Sequence, residues 1–233
     1  MGENLTTSVR NIFNQVAPVY DLLNHLFSLN IDRYWREKTV SRFSSLQNLR
    51  VLDVCTGTGD LAIEFAGKSF CKEVVGVDFS KQMLAVAEAK IKKKKLQGKI
   101  KLVQGDVMRL PFPDSSFDLV TISFGLRNLS DRKSGIGEIV RVLKKDGILA
   151  ILEFSPVQDG AVAYFYRFYL NTLIPLIGNL VSSSGAYHYL ASSIGDFPEP
   201  EQVKKLMFSA GLKGIRAFKL TFGIVYLYLG KRE

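Results

Sequence analysis

Residues 51–60, VLDVCTGTGD, combine an apolar strand pattern with a glycine turn. A helical pattern follows, and a second apolar segment, VVGVD at 74–78, ends in an acid. A strand, a glycine loop, a helix and a strand that ends in a carboxylate are typical of an α/β sheet that binds a nucleoside-bearing cofactor. These residues therefore predict an open sheet whose ligand site lies at the carboxyl ends of its strands.

The alternation of strand and helix patterns continues to residue 154. The predicted strands are Val51–Val54, Val74–Val77, Ile100–Gln104, Phe117–Ser123 and Ile148–Phe154. Ser80 is predicted to cap the helix after the second strand, and Ser134–Leu143 to form a helix closed by Gly147 in the left-handed conformation. This alternation implies parallel βαβ units, and the almost wholly apolar strands indicate a sheet that is covered on both faces.

The chain of 233 residues is predicted to be a single domain with four parts. Residues 7–46 have helical spacing, and residues 1–46 would form an N-terminal cap. Residues 47–155 would form the cofactor-binding core. The aromatic-rich residues 156–195 interrupt the alternation and are interpreted as a helical insertion that binds substrate. Residues 196–233 contain a capped helix and two strands around 220–223, which would add an antiparallel strand to the sheet.

The positive charge of the chain is concentrated in one segment. The net charge is +9, but residues 90–101 carry seven lysines and no acid, and removing those charges leaves +2. Because lysines at a helix end complement the helix dipole, this run is interpreted as a solvated helix end, with anionic lipid and then RNA as less favoured explanations. Nucleic acid is not predicted as a partner.

Cysteine usage and the apolar runs bear on location. Only Cys55 and Cys71 are present, and the N-terminus lacks an apolar signal core. No apolar run reaches the roughly 18 residues that span a bilayer. These features predict a reducing, cytoplasmic location, with peripheral contact at the inner face of the membrane left open.

The glycine loop only partly matches the dinucleotide fingerprint. Gly57 and Gly59 fit the GxGxxG spacing, but no third glycine follows, and Asp60 stands where a pyrophosphate would meet the helix N-terminus. A carboxylate at that point repels phosphate. The loop therefore suits a ligand with a cationic or neutral group there, and S-adenosylmethionine, which carries a sulfonium and no phosphate, is such a ligand.

The spacing Asp53-x-x-x-Gly57-x-Gly59 resembles the first motif of class I S-adenosylmethionine-dependent methyltransferases, which usually have a further glycine where Cys55 stands. The resemblance implies a Rossmann-like α/β fold with a mostly parallel seven-stranded sheet. It also implies that Asp78 binds both ribose hydroxyls and that Asp106 and Val107 bind adenine. The cofactor-binding residues implied in this way are Asp53, Gly57, Thr58, Gly59, Asp78, Phe79, Asp106, Val107 and Ser123.

Four further segments are more specific. These are VAPVYDLLNHLFSLNIDRYWR at 16–36, ISFGLRNLSD at 122–131, RVLKKDGILAILEFS at 141–155 and YHYLASSIGDFP at 187–198. They closely resemble the C-methyltransferases of ubiquinone and menaquinone biosynthesis. The resemblance implies methylation of a ring carbon of a polyprenylated quinol, with demethylmenaquinol favoured over a methoxybenzoquinol. A homodimer and a quinone-biosynthesis complex are left open.

The catalytic candidates lie close to the predicted methyl group. Arg127 and Asn128 follow the fourth strand. Because a guanidinium stays protonated and cannot readily serve as a base, Arg127 is assigned to stabilising an oxyanion or orienting a water. By resemblance Tyr20 lies on helices that cap the site and would bond the quinol or the water. His25 and His188 are interpreted as structural, and no metal is predicted.

Two other classes of protein remain open from the sequence. An RNA methyltransferase would explain the net charge and predicts basic residues around the active cleft. A non-catalytic binder that has kept the fold would tolerate replacement of Arg127.

Overall fold

The computed structural model describes residues 12–157, 164, 166–173 and 186–233. The strands are β1 Leu49–Val54, β2 Cys71–Asp78, β3 Ile100–Gln104, β4 Phe117–Ser123, β5 Leu143–Phe154, β6 Leu212–Leu220 and β7 Val225–Arg232. They form one sheet in the order β3-β2-β1-β4-β5-β7-β6. The first five strands pair in parallel, and β7 is antiparallel to both β5 and β6. The predicted fold class, a mostly parallel sheet with an antiparallel C-terminal strand, is confirmed.

Helices cover both faces of this sheet. They are α1 Tyr20–Phe27, α2 Ile31–Ser41, α3 Asp60–Ala66, α4 Lys81–Lys93, α5 Arg132–Val142, α6 Ala186–Gly195 and α7 Pro200–Ser209, together with a helical segment at 12–16. Ser80 caps α4 as predicted, since its Oγ accepts from the Met83 N–H at 3.1 Å. Among the described residues, no helix is both long and apolar enough to cross a membrane.

The alternating side chains of the strands build two cores. Val51 of β1 packs on one face with Trp35 and Phe65, whereas its neighbour Leu52 packs on the other face with Ile136. Both strand residues are fully buried. The apolar strands therefore have the two-sided cover that their composition predicted.

The junction between α5 and β5 differs from the sequence prediction. Helix α5 ends at Val142, and β5 begins at the next residue instead of at Ile148. The left-handed residue is Asp146, with φ 64°, and not Gly147. Gly147 is required for a different reason, because a Cβ there would lie 2.9 Å from the Lys144 carbonyl oxygen. The prediction of a glycine-closed helix was therefore wrong.

The N-terminal cap and part of the predicted insertion pack against each other. Leu23 of α1 is buried against Tyr166, Leu170 and Ile194. A π-helical turn at Tyr169–Leu173 belongs to the same region. Residues 158–163, 165 and 174–185 of the insertion, like residues 1–11, lie outside the described residues. The proposed boundaries of the four parts stay predictions.

Candidate active site

The Asp53 side chain anchors the glycine loop after β1 to the sheet by hydrogen bonds. Its buried carboxylate accepts hydrogen bonds from the hydroxyls of Thr56 and Thr121, both at 2.6 Å. Burial raises the pKa of Asp53 to about 6, although both hydroxyls oppose the shift. Asp53 therefore holds the loop on the sheet.

Positive φ angles at Gly57 (56°) and Gly59 (81°) shape the loop. The Gly57 N–H donates to Oδ2 of Asp78 at 2.8 Å, and the Ser80 N–H donates to Oδ1 at 2.9 Å. Burial raises the pKa of Asp78, and these backbone donors act against that shift. The Asp78 carboxylate at the end of β2 is thus hydrogen-bonded to the glycine loop that follows β1.

A narrow cleft opens between the carboxyl ends of β1, β2, β3 and β4. Six predicted cofactor residues line it: Gly57, Asp78, Phe79, Asp106, Val107 and Ser123. Asp53, Thr58 and Gly59 are not among its lining residues. The described residues around the cleft include two acids and neither lysine nor arginine. This charge pattern suits a cationic ligand with hydroxyl and amino groups, and it opposes a pyrophosphate.

Asp60 does not face this cleft. Its carboxylate pairs with Nζ of Lys90 at 2.5 Å and with Arg36 at 3.2 Å. The sequence argument placed a carboxylate that repels phosphate at Asp60, whereas the acids that line the cleft are Asp78 and Asp106.

Cys55 occupies a position that favours glycine. Its φ is 54°, in the left-handed region where a side chain is strained. Its side chain fits because Gly125, in the FGLRN segment, leaves room: a Cβ on Gly125 would lie 2.6 Å from the Cys55 Cβ. Cys55 can therefore replace the glycine that the first motif usually has, because Gly125, 70 positions away, leaves room for its side chain.

Gly125→Ala should lower the free energy of unfolding by about 1–3 kcal/mol, because the added methyl overlaps Cys55. In a Cys55→Gly background the same change should cost less than about 1 kcal/mol, since its main obstacle is gone. Urea denaturation of the four proteins measures both values. Gly137→Ala in α5 is the control, because nothing lies within 4 Å of its added Cβ. Equal costs in the two backgrounds would contradict this account.

A larger cavity of about 470 Å³ lies beside the cleft. Its described walls are largely apolar and aromatic, with residues from α1, α2, the segment after β4, β5, the insertion and the turn between β6 and β7; they include Phe27, Ile31, Trp35, Phe154, Tyr166, Tyr169, Leu170, Leu190, Ile194 and Ile224. Tyr20 and Phe124 line both the cavity and the cleft. The two spaces therefore meet at these two side chains.

Arg127 is buried at the wall of the larger cavity. One of its terminal nitrogens donates to Oε1 of Glu153 and to the Phe124 carbonyl oxygen, both at 2.7 Å. Burial by itself would lower the pKa of Arg127, but the Glu153 carboxylate outweighs it and the pKa is raised. The guanidinium is held as a cation, as the predicted role requires. Sequence reasoning missed Glu153, although a lone acid in the apolar segment ILEF was a usable signal.

Asn128 faces the cleft rather than the larger cavity. Its side-chain oxygen accepts from the Tyr189 hydroxyl at 3.0 Å, which ties it to α6. His25 Nδ1 lies 2.8 Å from Asp32 of α2, and Trp35 Nε1 donates to Thr221 at 2.8 Å. Both contacts suit structural roles. The His188 side chain lies outside the described residues.

The sheet order, the glycine loop and the acidic cleft at the strand ends define a class I methyltransferase architecture. A solved structure titled a putative S-adenosyl-L-methionine-dependent methyltransferase from Methanococcus maripaludis matches with a TM-score of 0.68 and 19% identity, covering 94% of this chain and 93% of that one. The chain belongs to the ubiE/COQ5 methyltransferase family, whose model matches residues 1–232.

Curated relatives of this chain carry quinone-biosynthesis names. Demethylmenaquinone methyltransferase of Thermus thermophilus is 42% identical over 222 residues, which is 95% of this chain and 100% of the relative. Ubiquinone/menaquinone biosynthesis C-methyltransferase UbiE of Citrifermentans bemidjiense is 43% identical and covers 96% of both chains. The family resemblance in the sequence is confirmed.

Proposed function

We propose that this protein transfers a methyl group from S-adenosylmethionine to a ring carbon of a polyprenylated quinol, with demethylmenaquinol as the favoured acceptor. The observation that carries the proposal is the junction at Tyr20 and Phe124 between an acidic cleft and a cavity of about 470 Å³ with mostly apolar walls. A cationic methyl donor suits the first space and an aromatic ring suits the second. The names of the curated relatives support the same reaction.

The residues of the cleft fit S-adenosylmethionine. Asp78 would accept from the ribose hydroxyls, Asp106 from the adenine amino group, and Val107 would contact the ring. When bound there, the cofactor supplies an electrophilic methyl group on a sulfonium. Asp78 and Asp106 also favour its positive charge electrostatically.

The acceptor carbon becomes nucleophilic when the neighbouring ring hydroxyl loses its proton. Arg127 remains a cation and would stabilise the developing negative charge on that oxygen. Burial raises the pKa of Tyr20, so its phenol stays protonated and acts as a hydrogen-bond donor. Asn128, held by Tyr189, would orient the ring or a water that takes the proton.

The apolar cavity continues to the surface through exposed leucines. Leu29 lines the cavity and is 74% exposed, and Leu22 and Leu26 of α1 are also exposed. Exposed apolar side chains that continue from a ligand cavity are typical of membrane-contacting surfaces. Contact with the bilayer would bring the cavity to the medium in which a polyprenyl tail dissolves.

The test is turnover with methyl-labelled S-adenosylmethionine and two short-tailed acceptors, a demethylnaphthoquinol and a methoxybenzoquinol. Label on the ring carbon of the naphthoquinol is the expected result. Label on the benzoquinol alone would assign the protein to ubiquinone synthesis instead. If neither acceptor is labelled, or if the label is only on a ring oxygen, the proposal is wrong. Labelling of RNA instead would favour the alternative class.

Sedimentation with phosphatidylglycerol vesicles tests the membrane contact.

A further inference from the structure

Lys90 joins three segments that are distant in the sequence. Its Nζ lies 2.6 Å from Oδ2 of Asp21 on α1 and 2.5 Å from Oδ1 of Asp60 at the start of α3. It also donates to Oγ1 of Thr58 in the glycine loop at 3.2 Å, and Thr58 in turn donates to Asp21 at 2.6 Å. One ammonium group thus holds the N-terminal cap on the cofactor loop.

Arg36 extends this contact to the larger cavity. One nitrogen of its guanidinium, Nη2, pairs both with the second oxygen of Asp60, at 3.2 Å, and with Oδ2 of Asp32. The result is a chain of alternating charges, Asp21–Lys90–Asp60–Arg36–Asp32, which we call the charge chain. Asp32 stands in the wall of the larger cavity.

The charge chain is partly shielded from water. Its side chains are between 6% and 28% exposed. Ion pairs at this depth are less screened than surface pairs. Asp21 and Asp60 lie within 2.6 Å of the same Nζ, so removal of that charge would leave two carboxylates facing each other.

Lys90 differs from the rest of the lysine run. It follows the buried Ala87 by three residues, so it lies on the inner side of α4. Lys92 and Lys93, two and three residues further along, are exposed. The solvated helix end inferred from the sequence therefore describes those lysines and not Lys90.

We propose that Lys90 is a positioning residue for methyl transfer, an inference that rests on the function proposed above. By holding Asp21, it fixes α1 against the cofactor loop and places the adjacent Tyr20 at the junction of the cleft and the cavity. The charge chain thereby joins the acceptor side to the cofactor side. Lys90 is not among the lining residues of the cleft or of the larger cavity, so its effect on the reaction would pass through Tyr20.

The test compares Lys90→Gln with Lys93→Gln, which removes the same charge from the exposed side of α4. At saturating S-adenosylmethionine, Lys90→Gln should lower kcat/KM for the quinol about tenfold, because a displaced cap misplaces Tyr20. The affinity for S-adenosylhomocysteine, measured by calorimetry, should stay within twofold. Lys93→Gln should match the wild type, and Lys90→Arg should recover most of the loss.

Hydrogen exchange supplies a readout that needs no turnover. In Lys90→Gln, but not in Lys93→Gln, peptides from residues 20–41 should exchange faster, while peptides from the sheet should not change. Unaltered exchange there, or a quinol kcat/KM within twofold of wild type, overturns the inference. An equal loss of cofactor affinity would also overturn it, because the effect would then not be specific to the acceptor side. If the wild type methylates no quinol, the proposed function is wrong. The hydrogen-exchange result would still show whether Lys90 holds the N-terminal cap in place.

Discussion

Glu153→Ala should lower the free energy of unfolding by about 3–5 kcal/mol. The Glu153 side chain is fully buried, and its carboxylate accepts from the Arg127 guanidinium at 2.7 Å and from the Arg127 and Phe154 N–H groups. Alanine would leave a buried cation without its counter-ion and two backbone donors without partners. Equilibrium denaturation in urea, followed by circular dichroism, measures the loss.

Two further variants separate the buried pair from ordinary ion pairing. Glu201→Ala breaks a contact of similar length, 2.8 Å to Lys204, but Glu201 is largely exposed, so the loss should be below about 1 kcal/mol. The double variant Arg127→Met with Glu153→Leu should recover part of the stability, because neither charge of this pair is left buried and unpaired, although the two backbone donors still lack the Glu153 acceptor. It should still be inactive in methyl transfer. A loss below 1 kcal/mol in Glu153→Ala would contradict the buried-pair account.

The double variant matters because Arg127 serves folding and the proposed catalysis together. A single replacement of Arg127 leaves the Glu153 carboxylate buried and unpaired, so lost activity could reflect an unfolded chain. A folded but inactive double variant would assign the lost activity to the missing guanidinium. Recovered activity would instead show that the pair is only structural.

The sheet could be predicted because its signals are local. Parallel strands buried on both faces are apolar throughout, and Ser80 caps its helix through an atom three residues away. The end of α5 could not be predicted in this way. A Cβ on Gly147 would lie 3.2 Å from the Asp118 carbonyl oxygen of β4 as well as close to the Lys144 carbonyl oxygen, and the contact with β4 depends on the tertiary path of the chain.

The acceptor side was less predictable, because its contacts join distant segments. Arg127 pairs with an acid 26 residues further along, and Lys90 pairs with Asp21 at a separation of 69 residues. Nothing in the run of lysines distinguishes Lys90 except its spacing from Ala87. The glycine loop, by contrast, is shaped by its own residues and by Asp78, and both were visible in the sequence.

Tyr20→Phe should lower kcat for quinol methylation about 100-fold and leave the affinity for S-adenosylhomocysteine within twofold. The change removes only the phenol hydroxyl, which the proposed mechanism uses as a donor where the cleft meets the cavity. Because burial raises the pKa of this phenol, the effect should be constant between pH 6 and pH 9.

Tyr34→Phe is the matched control for this change, since Tyr34 on α2 is exposed and lines neither space. Its kcat should equal that of the wild type. If kcat of Tyr20→Phe stayed within threefold of the wild-type value, the Tyr20 ring would line the site but its hydroxyl would take no part in the reaction. Arg127 would then stabilise the quinol oxygen without it. If instead the affinity for S-adenosylhomocysteine fell in parallel with kcat, Tyr20 would belong to the cofactor side of the junction. A fall in kcat alone is the result that places the hydroxyl at the reacting ring.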